Sequence, residues 1–218
     1  MRTRTAGRTL AALALGTALV SGGGVAAAAP GDGPGSTLTT LGRATTLLQS
    51  GGAGEPASGD LAVFAPQGVA AFARGEFSVA GYDCVPQESG EDVSSVPGAV
   101  DGVATASAEG VLALTCTYHV APGEPDPGLP SLPATALVDL SWEGSGPVER
   151  YTQAGRSFAC VTRAESRAAV VTGSVLLSVP GLSVPGLPGK GVEVVLTTAG
   201  SEVDVLVQQQ DRCRPARG

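Results

Sequence analysis

Apolar and polar residues alternate along most of the chain after residue 60. Short runs rich in Val, Ala, Leu and Thr are separated by turns that contain Gly and Pro, and no helical stripe exceeds two turns. In "ATALVDLSW", the polar side carries Thr135, Leu137, Asp139 and Ser141, and the apolar side carries Ala136, Val138, Leu140 and Trp142. A two-residue period is typical of strands with one buried face. The pattern therefore predicts an all-β domain of roughly nine to eleven strands.

Three further runs have the same period. In "RAAVVTGSVLLSV", the apolar side carries Ala169, Val171, Val175, Leu177 and Val179. In "VLALTCTYHV", it carries Leu112, Leu114, Cys116, Tyr118 and Val120. In "EVDVLVQQQ", Val203, Val205 and Val207 lie opposite Glu202 and Asp204. Antiparallel sheets with one solvated face give this alternation. We expect an antiparallel β-sandwich, Greek-key or Ig-like, with a partly closed β-barrel as the alternative.

Composition divides the chain into three parts. Residues 1–28 contain a basic start, an apolar run and small residues before Ala28, and they are predicted to be an export signal peptide. Residues 29–59 are rich in Gly, Pro, Ser and Thr and are predicted to form a flexible N-terminal arm. Residues 60–214 are predicted to form a single all-β domain. The protein is therefore expected to be secreted and extracellular.

The negative net charge of the chain argues against nucleic acid as a partner. The chain has a net charge of −7, and removal of residues 1–28 takes away three arginines and no acid, which lowers the charge to −10. Lys190 is the only lysine. An acidic surface repels phosphate backbones, so nucleic acid is not expected as a partner. Asn and Ile are absent, as in proteins from GC-rich genomes, and this favours an actinobacterial source.

The cysteines predict disulfides. Cys84, Cys116, Cys160 and Cys213 are separated by 32, 44 and 53 residues, whereas zinc sites use closely spaced pairs. Three pairings are possible. We favour Cys84 with Cys116, because sequential strands are commonly neighbours, and Cys160 with Cys213, which would hold the C-terminus to the sheet.

The sequence gives little sign of catalysis. His119 is the only histidine and lies on the polar face of its strand, where a solvated side chain is expected. No nucleophile elbow and no zinc-protease motif is present. Glu88, Glu91 and Asp92 form an acidic loop without the order of a calcium loop. We expect no catalytic, cofactor or metal residues, although converging carboxylates are not excluded by sequence.

The repeat "SVPGLSVPGL", residues 178–187, predicts a corner between two strands. Pro-Gly suits the central positions of a type II turn, and the tetrapeptide "SVPG" also occurs at 95–98. Two copies are too few for elastic behaviour like that of elastin, which the repeat resembles.

The order "GYDC", "LALTC", "ATALVDLSWEGSGPV", "RAAVVTGSVLL" over residues 76–180 resembles a loose group of exported actinobacterial β-rich proteins. The resemblance implies a fold and no activity. We expect a secreted non-enzymatic module that binds an extracellular protein or a cell-wall component, or has a structural role. The alternatives are a secreted carboxylate-dependent hydrolase and a protease inhibitor that uses residues 85–98. A concave site holding two carboxyls with displaced pKa values would favour the hydrolase.

Overall fold

The computed structural model describes residues 37–51, 56–90, 92–120, 123, 128–154, 160–182, 191–198 and 204–213. The predicted signal peptide and the second "SVPGL" copy lie outside these residues. The described strands are β1 (Thr37–Ser50), β2 (Ala57–Pro66), β3 (Phe72–Val79), β4 (Tyr82–Pro86), β5 (Glu88–Ser89), β6 (Asp92–Val93), β7 (Val96–Asp101), β8 (Thr105–Tyr118), β9 (Leu132–Ala154), β10 (Cys160–Val179), β11 (Val192–Thr198) and β12 (Val205–Cys213). The all-β antiparallel class is confirmed. No helix long and apolar enough to cross a membrane occurs in the described part of the chain.

The strands form a ring of eight positions that follows the order of the chain. Each position pairs antiparallel with the one before it and the one after it. β1 closes the ring because it pairs with β2 on one side and with β12 on the other. The arrangement is consistent with a sandwich or a partly closed barrel, and its connections are those of a meander.

Two of the eight positions are each filled by two strands. β4 and β7 lie one after the other between β3 and β8, and the small β5–β6 ladder lies between them in the chain. β11 and β12 similarly share the position between β10 and β1. Each of these positions is therefore one strand with a break in its middle.

Apolar side chains from all around the ring meet in a single core. The largest fully buried ones are Trp142, Leu48, Leu61, Leu112, Leu114, Leu140, Leu177, Leu196 and Leu206. The predicted inward faces of β9 and of the second half of β10 are confirmed, since Val138, Leu140, Val175 and Leu177 are buried.

The expectation of a flexible arm is wrong for residues 37–50, which form β1. Ala44, Thr46 and Leu48 alternate inward and are buried. Threonine is favoured in strands, but its hydroxyl obscures the apolar period in the sequence. Burial of Thr46 is possible because its Oγ1 donates a hydrogen bond to Oδ1 of Asp204 at 2.7 Å.

The predicted phase of "EVDVLVQQQ" is also wrong. Asp204 and Leu206 are buried, whereas Val205 and Val207 are only partly buried. The Asp204 carboxylate accepts hydrogen bonds from Thr46 and Thr198. Paired hydroxyls allow a carboxylate to occupy an inward position at the break between β11 and β12.

The turns differ partly from expectation. "EFSVAGYDC" is a hairpin instead of one strand, because Ala80 and Gly81 have φ of 49° and 81°, as a type I′ turn requires. The first Pro-Gly of the repeat is a turn as predicted, with Gly181 at φ 91° and a hydrogen bond from Leu182 N to Val179 O. The "SVPG" at 95–98 instead enters β7.

Candidate functional site

Three acidic side chains come together on the outer face of β1 to β4. The β2–β3 register places Asp60 opposite Glu76, and the β3–β4 register places Ser78 opposite Asp83. These residues line a depression of about 660 Å³, which we call the carboxylate depression. The site was not apparent in the sequence because its acids come from three separate strands.

Asp83 is held between a serine and the only histidine. Ser78 Oγ donates to one carboxylate oxygen at 2.8 Å, and Nδ1 of His119 lies 2.8 Å from the other. Two hydrogen bonds lower the pKa of Asp83. The bond from Ser78 contributes most, and the bond with His119 contributes next. In the tautomer that donates from Nδ1, Nε2 of His119 is the nitrogen able to accept a proton.

His119 is solvent-exposed, as predicted, with 62% of its side chain accessible, but it has an oriented partner. The β4–β8 ladder pairs Asp83 with Thr117, which brings Asp83 beside the residue that follows β8. The predicted Cys84–Cys116 bond already implied this register. It was therefore the one sequence signal that could have revealed the pair.

Asp60 has the opposite electrostatic environment. Partial desolvation in the carboxylate depression raises the pKa of Asp60, and the nearby Glu76 raises it further, while Arg43 opposes the change. The depression therefore holds one carboxyl whose pKa is raised and another whose pKa is lowered. Pairs of this kind serve as acid and base in hydrolases.

The hydroxyl of Ser78 is not placed as a triad nucleophile. Ser78 donates to Asp83, so the order is serine, carboxylate, histidine. In acyl-transfer triads the histidine stands between the other two. Ser78 therefore lacks the hydrogen bond to the histidine that a triad nucleophile makes.

Two arginines and two phenylalanines form a stack on the outer face of β1 to β3. The rings of Phe64 and Phe72 lie 5.5 Å apart. The guanidinium of Arg43 lies 5.4 Å from the Phe64 ring centroid, and that of Arg74 lies 4.9 Å from the Phe72 centroid. This Arg–Phe stack provides positive charge and aromatic surface on one side of an acidic protein.

A second feature is a line of apolar side chains on the outer face of β8 to β11. Register pairs Val111 with Leu137, Leu137 with Leu176, and Leu176 with Val195. We call these four residues the apolar row. Val111, Leu137 and Val195 are 61%, 50% and 53% exposed, and Leu176 is partly buried. A continuous exposed apolar surface commonly marks a contact site.

Acidic residues lie on both sides of the apolar row. Glu109 pairs with Asp139 in the row on one side, and Glu193 lies in the row on the other side. All three are exposed, and the outward residues of these rows include no Lys or Arg. A further depression of about 460 Å³ on the same face is lined in part by Asp101 and Glu143.

Both predicted disulfides are present. Cys84 is bonded to Cys116 and Cys160 to Cys213, and in each case the two residues are direct partners in a ladder. Cys84 and Cys116 are fully buried, whereas Cys160 and Cys213 are partly exposed. Each bond attaches one of the interrupted strand positions to its neighbour, as is typical of extracellular domains.

The acidic loop contains the two-residue strands β5 and β6. Glu88 and Asp92 are exposed, and Glu91 lies outside the described residues. Among the residues that the structure describes, no three His, Cys, Asp or Glu side chains are grouped as metal ligands would be.

Comparisons of the chain with known protein families, curated proteins and solved structures found no match. The resemblance to exported actinobacterial proteins stays a prediction.

Proposed function

We propose that the chain is an exported, non-enzymatic module that binds another extracellular protein through its apolar row. The observation that carries this proposal is the exposure of Val111, Leu137 and Val195 along a single register line. The two disulfides and the predicted signal peptide support an extracellular setting.

The side chains of the row are of the kind found at the centre of an interface. Burial of a Val or Leu side chain stabilises a complex by roughly 1.5–3 kcal/mol. A stable interface commonly covers about 800 Å² on each partner, with an apolar centre and a polar rim. The apolar row would supply the centre, and the acidic and hydroxyl-bearing rows beside it would supply the rim.

Photo-cross-linking tests the proposal. A photoreactive amino acid replaces Val111 in one protein and Val69, which is 54% exposed in the β2–β3 turn, in the control. In cultures that secrete the protein, we expect a cross-linked partner from position 111 only. Excess unlabelled wild-type protein should compete for it, and the Leu137→Ser variant should not. Identical products from both positions, or none that the wild type displaces, would reject the proposal.

The carboxylate depression favours a second candidate, a carboxylate-dependent hydrolase. The pKa of Asp60 is raised and that of Asp83 is lowered, and displacement in opposite directions supports this candidate. The test is turnover of a panel of glycosides and esters. If the candidate is correct, Asp60→Asn and Asp83→Asn should each lower turnover by at least about 100-fold. Glu88→Gln, an exposed acid outside the depression, should have no effect. A wild-type protein that turns over no substrate in the panel would exclude hydrolysis of those bonds.

A further inference from the structure

We infer that the partner element seated on the apolar row is a cationic amphipathic α-helix. This inference rests on the proposed function, because it names the chemistry of the partner at the same surface. It is carried by the shape of the row and by the charges on its two sides.

The row has the dimensions of a short helix. Adjacent strands lie about 4.8 Å apart, so four side chains across β8 to β11 span about 14 Å. Three turns of α-helix cover about 16 Å. The row is one residue wide, and the polar rows begin about 7 Å away on either side. A helix about 10 Å in diameter would place a narrow apolar stripe on the row and its two margins over the polar rows.

The acidic residues beside the row determine which side chains the helix should carry along the two margins of its apolar stripe. Glu109 and Asp139 lie under one margin and Glu193 under the other, and the described outward residues of these two rows include no Lys or Arg. Lys or Arg on both margins would pair with these acids, and Glu or Asp would be repelled. Two copies of this chain joined row to row would bring acidic rows against each other, which disfavours the chain itself as the occupant.

Synthetic peptides provide the probe. The first has 14 residues, only Leu and Lys, with the leucines on one helical face. The second contains the same residues in scrambled order, and the third carries Glu in place of Lys. Fluorescence anisotropy measures binding to the whole mature protein, and circular dichroism measures helix formation by the peptide.

We expect the amphipathic Leu/Lys peptide to bind one per chain and to become helical. The scrambled peptide should bind at least about tenfold more weakly, and the Leu/Glu peptide should not bind. Leu137→Ser should weaken binding at least about tenfold, whereas the matched Val69→Ser should leave it unchanged. Paired substitution of Glu109→Gln with Asp139→Asn should weaken binding and reduce its dependence on salt. Thermal unfolding checks that each variant is folded, and Val195→Ser replaces Leu137→Ser if needed.

Several results would overturn the inference. The first is that the Leu/Lys peptide binds Leu137→Ser as tightly as it binds the wild type. The second is that the scrambled peptide binds the wild type as tightly as the Leu/Lys peptide does. The third is that the Leu/Glu peptide binds. Wild-type dimers that Leu137→Ser dissociates would identify a second copy as the occupant instead, with the Arg–Phe stack as a candidate contact. A cross-linked partner at position 111 that lacks a cationic helix would overturn this inference and leave the proposed function standing. Absence of any cross-linked partner would reject the proposed function and the partner helix with it, and specific peptide binding would then show only that the row has affinity for cationic helices.

Discussion

The indole Nε1 of Trp142 donates a hydrogen bond to the backbone carbonyl oxygen of Thr45 at 3.2 Å. Trp142 belongs to β9 and Thr45 to β1, which are not neighbours in the ring. The bond therefore spans the interior and ties the first strand to the opposite wall.

Replacement of Trp142 by Phe should lower the free energy of unfolding by about 2–4 kcal/mol. The substitution leaves the Thr45 carbonyl without its indole donor and creates a cavity. Urea unfolding followed by circular dichroism measures the loss, since the chain has no other tryptophan. Leu137→Ala on the outward face of the same strand is the control and should cost less than about 1 kcal/mol. Equal losses in both variants would contradict the role of Trp142.

Gly173→Ala should destabilise the protein by at least about 2 kcal/mol. Gly173 has φ of 102°, and a Cβ there would lie 2.1 Å from the backbone oxygen of Asp139. Both the backbone conformation and the space exclude a side chain. Gly51→Ala is the matched control, because a Cβ at Gly51 meets nothing within 4 Å. Thermal unfolding compares the two, and similar melting temperatures would show that the strands shift to admit the methyl group.

The two disulfides should differ in their resistance to reduction. A mild reductant should reduce Cys160–Cys213 at least about tenfold faster than Cys84–Cys116. Reduction requires access to a sulfur atom, and Cys84 and Cys116 are fully buried, whereas Cys160 and Cys213 are partly exposed. Alkylation followed by peptide mapping measures both rates. In denaturant the rates should converge. Earlier alkylation of Cys84 in the native protein would contradict the prediction. Each bond closes a long loop and should stabilise the fold by about 4 kcal/mol.

Asp60→Asn and Asp83→Asn should change stability in opposite directions at neutral pH. The folded state raises the pKa of Asp60 above 3.8, so the charged form of Asp60 opposes folding. This loss of stability disappears as the pH falls through the raised pKa. The folded state lowers the pKa of Asp83 below 3.8, so its charge favours folding above that pH, and the benefit is lost as the pH falls through the lowered pKa. At pH 7, Asp60→Asn should raise the melting temperature and Asp83→Asn should lower it. Both differences should vanish in strong acid. Shifts of the same sign at pH 7 would contradict the assignments.

Alternation in the sequence was sufficient where the inward residues are purely apolar. β9 shows this, because Val138, Leu140 and Trp142 recur at every second position. It failed where an inward residue is polar and bonded to a distant partner. Thr46 and Asp204 are hydrogen-bonded to each other in the core although 158 positions separate them in the sequence. Neither residue type indicates a core position when considered alone.

The apolar row shows the opposite limit. Leu137 lies on the polar side of an alternating run, and the sequence alone gives no reason to connect it with Val111 or Val195. Only the strand register brings these outward positions into one line. The same applies to Asp83 and His119, whose pairing depends on how β4 aligns with β8.

The pairing of β1 with β12 also has a consequence in time. Thr37 and Cys213 are direct partners, so β1, the first strand that the structure describes, cannot complete its hydrogen bonds until β12, the last described strand, has been synthesised. Until then the parts of β1 and β10 that pair with β12 present unpaired edges that can join other chains. The nine residues of β12 complete the pairing between β10 and β1. A chain that stops before Val205 would keep the pairings of β11 with β1 and β10, but residues 37–45 and 160–168 would each lose the partner that β12 supplies and could pair with other chains instead.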